Sequence, residues 1–229
     1  MPMVEALFAR CGLQPSDCDA FAYASGPGSF TGLRVACTIV QGLALGAGRP
    51  VVAVGHLRAL LAVACAAPQP VMARARRGLV MIDARMRQVY WAAYESDRGA
   101  GAVAPEDARE GATEYAAQYS MNAATDVADQ GQWRECAPPS LCDEGALPAL
   151  VAAWQPDFIA GAATWLGTLS GVRGTAIVDA ALDGTTLVRL AVERFQAGAM
   201  RAPELALPEY VRDHVALTVA QRRAGHQPS

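Results

Sequence analysis

A turn rich in glycine separates a short apolar run from a long one, and it constrains the fold more than any other stretch. Its residues are Gly26, Pro27, Gly28, Ser29, Phe30, Thr31 and Gly32. Glycine and proline at this density interrupt regular structure, and the apolar run 20–24 before them predicts a buried strand. Ser29 or Thr31 can cap the following helix, because a side-chain oxygen there accepts a hydrogen bond from an unpaired backbone N–H. The segment therefore predicts a strand, a turn and a helix, with backbone N–H groups that suit a phosphate.

The spacing within this turn does not match the established phosphate-binding signatures. No Gly-Lys-Ser/Thr of a Walker A loop follows, and G-x-G-x-x-x-G differs from the dinucleotide fingerprint. Pro27 has no N–H to donate. The strand predicted at 51–54 is followed by Gly55 and His56 instead of an acidic residue for a ribose. Two interpretations therefore stand, a nucleotide-binding turn and a turn that only packs a helix on a sheet, of which the second is the commoner.

The helix predicted after the turn, residues 31–47, is apolar nearly all round. Arg34 is its only charged residue. A helix with so little polar surface is buried on more than one side, either in a domain core or against another protein. The pattern alone favours neither. Its least apolar stripe consists of Arg34, Thr38, Gln41 and Leu45.

Composition argues against several classes of function. The net charge of −3 provides no basic field for nucleic acid. The longest apolar stretch, 35–48, is rich in glycine and shorter than a membrane span of about 20 residues. Residues 1–7 contain Glu5 and lack the basic opening of a signal peptide. We therefore expect no membrane association and a cytoplasmic location.

The residue types that carry chemistry are scattered along the chain. The six cysteines form no C-x-x-C pair and are predicted to be buried free thiols. The three histidines lack the spacing of metal ligands. No serine or cysteine has a histidine partner nearby. We therefore predict neither a catalytic nor a metal site, and we interpret Asp83 and Arg85 as an ion pair that stabilises a hairpin turn.

The remaining chain alternates between helical and strand patterns. This alternation predicts an α/β fold with three-layer packing. Residues 95–145 predict surface loops and short elements. The other predicted helices are 3–11, 57–66, 144–154 and 185–198, and the other predicted strands are 79–82, 88–94, 157–161 and 175–179.

The segment 26–34, with the helix that contains Gln41-Gly42-Leu43-Ala44, resembles the signature of the bacterial TsaB (YeaZ) family. That family contributes to threonylcarbamoyladenosine (t6A) modification of tRNA. Three further segments agree with it: 79–91, 158–161 and 203–215. The resemblance implies the two-lobed α/β fold of actin, Hsp70 and sugar kinases. Two prolines and three arginines indicate a linker at 68–78. With the resemblance, this gives an incomplete N-terminal lobe (1–67) before the linker and a C-terminal lobe with return of the C-terminal tail (79–229) after it.

Residues 1–7 resemble the middle of the family's first helix. Family members begin with a β-hairpin and a further strand several tens of residues before the glycine-rich turn. The expectation is therefore a first lobe that lacks its opening strands, through a late start codon or a shortened chain.

The resemblance also implies a non-catalytic scaffold role, without measurable activity of the chain alone. TsaB pairs with its paralogue TsaD, which carries the metal-binding histidines and the transfer chemistry, and helps to recruit the ATPase TsaE. tRNA is then contacted only indirectly, and a homodimer is the alternative assembly. The family's first two helices correspond to residues 2–11 and 31–47. The interface predicted on them consists of Val4, Leu7, Arg34, Thr38, Gln41 and Leu45.

Two other functions are weighed against the scaffold. One is a nucleotide-binding enzyme that uses the Gly26–Gly32 turn, and the other is a peptidase, a role once attached to the wider family. A peptidase needs a nucleophile with a base beside it, and the sequence offers none. No cofactor is expected, with weak nucleotide binding at or near the partner interface as the exception.

Overall fold

The computed structural model describes residues 2–97 and 133–212. Its helices are α1 (Pro2–Cys11), α2 (Phe30–Ala47), α3 (His56–Ala66), α4 (Leu147–Trp154), α5 (Ala163–Leu166) and α6 (Gly184–Gln196). Its strands are β1 (Phe21–Gly26), β2 (Val51–Gly55), β3 (Arg77–Arg85), β4 (Gln88–Ser96), β5 (Trp133–Asp143), β6 (Phe158–Gly161) and β7 (Ala176–Asp179).

The strands form two sheets. The first sheet pairs β1 with β2 in parallel, with Phe21 opposite Val51. The second has the order β5-β4-β3-β6-β7, in which β3, β4 and β5 are antiparallel and β3, β6 and β7 are parallel. The β3–β4 hairpin turns at Met86 and Arg87, both of which have positive φ.

Helices cover both faces of each sheet. On one face of the first sheet, Tyr23 and Val51 pack against Cys37 and Ala44 of α2. On its other face lie α3 and α6, through Ala59, Ala62, Leu190 and Ala191. The layer order is therefore helix, sheet, helix, sheet, helix, with α3 in the middle.

The middle helix α3 contacts both sheets at once. Its Leu57, Leu60 and Leu61 pack against Tyr94 and Phe158 of the second sheet. The far face of that sheet is covered by α4 and α5, where Leu147, Trp154 and Leu166 pack against Leu79, Met81 and Ile159. The lobe boundaries at 67 and 79 stay a prediction.

Most of the predicted elements are confirmed with shifts of one to three residues at their ends. Strand β4 does not alternate regularly between apolar and polar residues, which is typical of a strand covered on both faces, and all nine of its residues are buried. The prediction of loops and short elements over 95–145 is wrong for β5, an 11-residue edge strand. The pattern did not predict this strand because Pro138 and Pro139 lack the backbone N–H that a strand donates to its neighbour. Both prolines lie at an irregularity in the pairing of β5 with β4. Residues 98–132 of that prediction lie outside the described residues.

The cysteine prediction is partly wrong. None of the six, all of which are among the described residues, forms a disulfide. Only Cys37 is buried, whereas Cys11 and Cys65 are exposed. Cys11 ends α1, a helix that buries no residue, so an apolar helical pattern there does not lead to burial.

Helix α2 is the one helix among the described residues that is long and apolar enough to cross a membrane. This is weak evidence, because core helices of globular proteins pass the same test. Four of its residues pack inside the protein: Leu33, Cys37, Val40 and Ala44.

Candidate functional site: the glycine-rich turn and the cleft beside it

The glycine-rich turn forms as the sequence predicts. Ser29 is the N-cap of α2, and its Oγ accepts a hydrogen bond from the Gly32 N–H at 3.3 Å. Gly26 has φ +125°, a conformation that side chains rarely adopt. A Cβ atom there would lie 2.8 Å from the Glu209 carbonyl oxygen. Glycine at this position therefore allows another segment of the chain to touch the turn.

That segment is the C-terminal strap, which we define as residues 201–212. Arg201 and Val51 exchange two backbone hydrogen bonds of 2.9 Å. The strap then accepts side-chain hydrogen bonds on two of its carbonyl oxygens, from Gln41 Nε2 to Ala206 (3.1 Å) and from Tyr23 Oη to Leu207 (3.1 Å).

The end of the strap lies over the turn and reaches the β3–β4 hairpin. The ring of Tyr210 packs against that of Phe30 at an angle of 38°, with 5.6 Å between ring centres, and its hydroxyl accepts a 2.7 Å hydrogen bond from Arg34 Nε. Arg212 donates to the Ala84 carbonyl oxygen at 2.9 Å and to Gln88 Oε1 at 2.7 Å. Sequence reasoning matched 203–215 to a family signature but did not assign Tyr210 or Arg212 to a site.

A cavity of about 930 Å³ lies between the turn, α3, the β3–β4 hairpin and the strap. Three arginines line it, Arg34, Arg85 and Arg212, together with the aromatic rings of Phe30 and Tyr210. Asp83 and Glu209 line it as well, so the arginines outnumber the acidic residues by one. Cationic and aromatic side chains around the N-terminus of a helix suit a planar anion. Within residues 2–97 and 133–212, no group of three or more His, Cys, Asp or Glu side chains could hold a metal ion.

His56 connects the turn to α3. Its Nδ1 lies 3.1 Å from the Pro27 carbonyl oxygen, and it donates, because a carbonyl oxygen can only accept. Burial lowers the pKa of His56 below its usual range, so the ring is neutral at neutral pH. Its neutral state adds no charge to the cleft.

The predicted ion pair at the hairpin is confirmed. Arg85 Nη1 lies 3.0 Å from Asp83 Oδ2, and the Arg85 N–H donates to Asp83 Oδ1 at 2.7 Å. Both carboxylate oxygens of Asp83 therefore bind Arg85 and stabilise the turn.

The structure separates the six predicted interface residues into two kinds. Leu7, Thr38 and Leu45 are exposed, and Val4 is half-buried. Arg34 and Gln41 hold the strap. Beside this stripe, three further α2 residues are exposed that the sequence analysis did not select: Val35, Gly42 and Gly46. Whether these residues contact a partner stays a prediction.

Known proteins resemble the chain in sequence and in fold. A family model described as "TsaD: tRNA N6-adenosine threonylcarbamoyltransferase" matches residues 1–143. The tRNA threonylcarbamoyladenosine biosynthesis protein TsaB of Escherichia coli is 43% identical over 97 residues, which are 42% of this chain and 40% of that protein. A tRNA N6-adenosine threonylcarbamoyltransferase of Solidesulfovibrio magneticus is 43% identical over 63 residues, 28% of this chain and 17% of that protein.

A solved structure of YeaZ from Pseudomonas aeruginosa has a similar fold. It superposes with a TM-score of 0.61 and 29% identity, over 91% of this chain and 82% of that one. The alignments with the curated TsaB relatives, in contrast, span only about 40% of their length. The two-sheet α/β architecture is the actin/Hsp70/sugar-kinase-like fold expected from the sequence. Because the family model matches 143 of 229 residues, the chain belongs to the TsaD family, and within it resembles the TsaB (YeaZ) proteins.

Proposed function

We propose that this protein is a non-catalytic scaffold subunit in the t6A modification of tRNA in the cytoplasm. In this role it pairs with a TsaD-like paralogue through α1 and α2 and helps to recruit a TsaE-like ATPase. It contacts tRNA only indirectly. The names of the TsaB relatives and the family match over residues 1–143, which include both helices, support the process.

The exposed apolar surface of α1 and α2 carries this proposal. No residue of α1 is buried, and its Met3 and Leu7 are 84% and 58% exposed. On α2, Val35 and Leu45 are 52% and 54% exposed. Helices with this much apolar surface in water are typical of protein–protein contacts. Gly42 and Gly46 are also exposed, and a Cβ at either would meet no atom within 4 Å, so a partner helix could approach α2 closely.

The substitution Leu45→Glu tests the interface. A charge in a desolvated helix contact is left unpaired, so we expect a loss of about 2–4 kcal/mol in binding to the TsaD-like paralogue. Calorimetry with the purified paralogue measures it, and circular dichroism reports the fold. Val188→Glu is the matched control, because Val188 is a 59% exposed apolar residue on α6. A folded Leu45→Glu variant with unchanged affinity would exclude this face.

The process itself is tested in a bacterium depleted of its own TsaB. We expect the wild-type chain to restore t6A in total tRNA, measured by mass spectrometry of nucleosides, and Leu45→Glu to restore much less. If Leu45→Glu restores t6A to the wild-type level, the protein acts in t6A modification without this interface. No restoration by the wild-type chain would count against the proposed process.

A second candidate function is nucleotide binding in the cleft. The cavity of about 930 Å³ with three arginines at the N-terminus of α2 favours it. If a nucleotide binds there, ATP raises the melting temperature in a saturable way. Arg85→Ala weakens this effect, whereas Arg87→Ala on the same hairpin leaves it unchanged. No shift with ATP in the wild-type chain would eliminate this candidate.

A further inference from the structure

The C-terminal strap bonds to both sheets. Its central residues are attached to the first sheet, because the Glu209 N–H donates to the Ser25 carbonyl oxygen at 2.7 Å. Tyr210 adds the contact with Arg34 on α2. Two residues later, Arg212 is attached to the second sheet through Ala84 and Gln88.

The attachment to the first sheet is close as well as hydrogen-bonded. The carbonyl oxygen of Glu209 lies against the Cα of Gly26, where a Cβ would have only 2.8 Å. Ala206 is 1% exposed and belongs to the core cluster of Cys37 and Ala44. The strap is therefore packed into the first sheet's core and is more than a surface loop.

The acceptor on the second sheet is itself held in place. Gln88 is 9% exposed, and its Nε2 donates to Asp143 Oδ1 at 3.2 Å. That bond orients the amide so that Oε1 faces the Arg212 guanidinium. A charged donor on a buried, oriented acceptor forms one of the stronger hydrogen bonds in proteins.

The strap also forms a wall of the cleft. Residues 209–212 line the cavity between the glycine-rich turn and the hairpin. Away from the cleft, α3 packs against both sheets, and Leu182 also contributes to both core clusters. At its far end the strap holds the hairpin through the hydrogen bonds of one side chain, Arg212, and a contact that small opens more easily than a packed core.

We propose that residues 206–212 form a latch that holds the two sheets together across the cleft, with Arg212 as its attachment to the hairpin. When Arg212 leaves Ala84 and Gln88, the strap loosens from the turn and the cavity opens. This inference does not depend on the proposed function.

Hydrogen–deuterium exchange of the full chain tests the latch. Arg212→Ala removes only bonds to the second sheet, whereas the Glu209 amide is bonded to the first sheet. If the strap is a latch, the Glu209 amide exchanges at least tenfold faster in Arg212→Ala than in the wild-type protein. Arg87→Ala is the matched control, because Arg87 lies on the same hairpin and pairs with Glu144 at 3.6 Å. It should leave Glu209 unchanged. Amides of Val80 and Ala92 report the fold.

A distance measurement completes the test. Non-canonical amino-acid labels at Thr38 on α2 and at Ser170 beside α5 report the separation of the two sheets. We expect Arg212→Ala to broaden that distance distribution and to shift it to longer values. Gln88→Ala removes the acceptor instead of the donor, and we expect it to change the distance distribution in the same direction. If Arg212→Ala does not fold, the Gln88→Ala result decides whether the latch exists. Unchanged exchange at Glu209 or an unchanged distance distribution would overturn the proposal.

Discussion

At the residue scale, His56 shows how burial beside the turn keeps one side chain of the cleft uncharged. Its Nδ1–H is used by the Pro27 carbonyl oxygen, and the ring is buried at the start of α3. Burial disfavours the charged form and lowers the pKa of His56 in the folded state. Protonation therefore favours the unfolded chain.

This linkage predicts a pH dependence of stability. The stability that comes from neutral His56 is present above about pH 6.5, the pKa of an unperturbed histidine, and is lost as the pH falls through the lowered folded pKa. We expect His56→Gln, which cannot titrate, to flatten the fall in urea midpoint between neutral pH and about pH 5. Equal slopes for the two proteins would show that His56 does not contribute.

At the element scale, α3 is the helix on which both sheets depend. It is only 11 residues long, yet six of them are buried. Leu61 is 0% exposed and packs in the cluster with Tyr94 and Phe158, while Ala59 and Ala62 face the first sheet. Small residues on one side and leucines on the other let α3 fit between two sheets.

Leu61→Ala should therefore destabilise the whole protein. Leu→Ala in a packed core costs about 2–5 kcal/mol, and we expect the loss in one cooperative urea transition, because α3 belongs to both cores. Leu45→Ala, at a 54% exposed position, should change stability by less than about 0.5 kcal/mol. Two separate transitions for Leu61→Ala would mean that the sheets unfold independently.

At the scale of the whole molecule, α1 and α2 carry five exposed large apolar side chains: Met3, Leu7, Phe30, Val35 and Leu45. In the described part of the chain, β2 is the only strand that pairs with β1, so the other edge of β1 has no strand partner. Exposed apolar helices and open strand edges favour association. This side of the molecule is therefore where we expect it to meet other chains.

We expect the purified chain to self-associate through this side when no partner is present. Its sedimentation coefficient should rise with concentration, because apolar side chains of two copies then leave water together. Leu45→Glu should shift the protein towards monomer, whereas Val188→Glu should not. Identical sedimentation of the wild-type protein and Leu45→Glu would show that the self-contact does not use this side.

The features that the sequence predicts correctly are the local ones. The N-cap of α2, which was predicted at Ser29 or Thr31 and lies at Ser29, and the Asp83–Arg85 pair each depend on residues within three positions of each other. The family signature lies in the same segment as the N-cap. Such short-range features can be predicted from sequence because they depend on only a few neighbouring residues.

Contacts between distant residues account for what was missed. Arg34 and Tyr210 are 176 positions apart, and Gln41 and Ala206 are 165 apart, so no spacing rule could show that the strap uses half of the predicted α2 stripe. Strand β5 forms despite two prolines because β4 offers it a partner. The sequence by itself determined the turn, the long apolar helix and the family. The tertiary structure decided which side of that helix meets water and which residues line the cleft, because a segment far along the chain returns and covers one side of the helix.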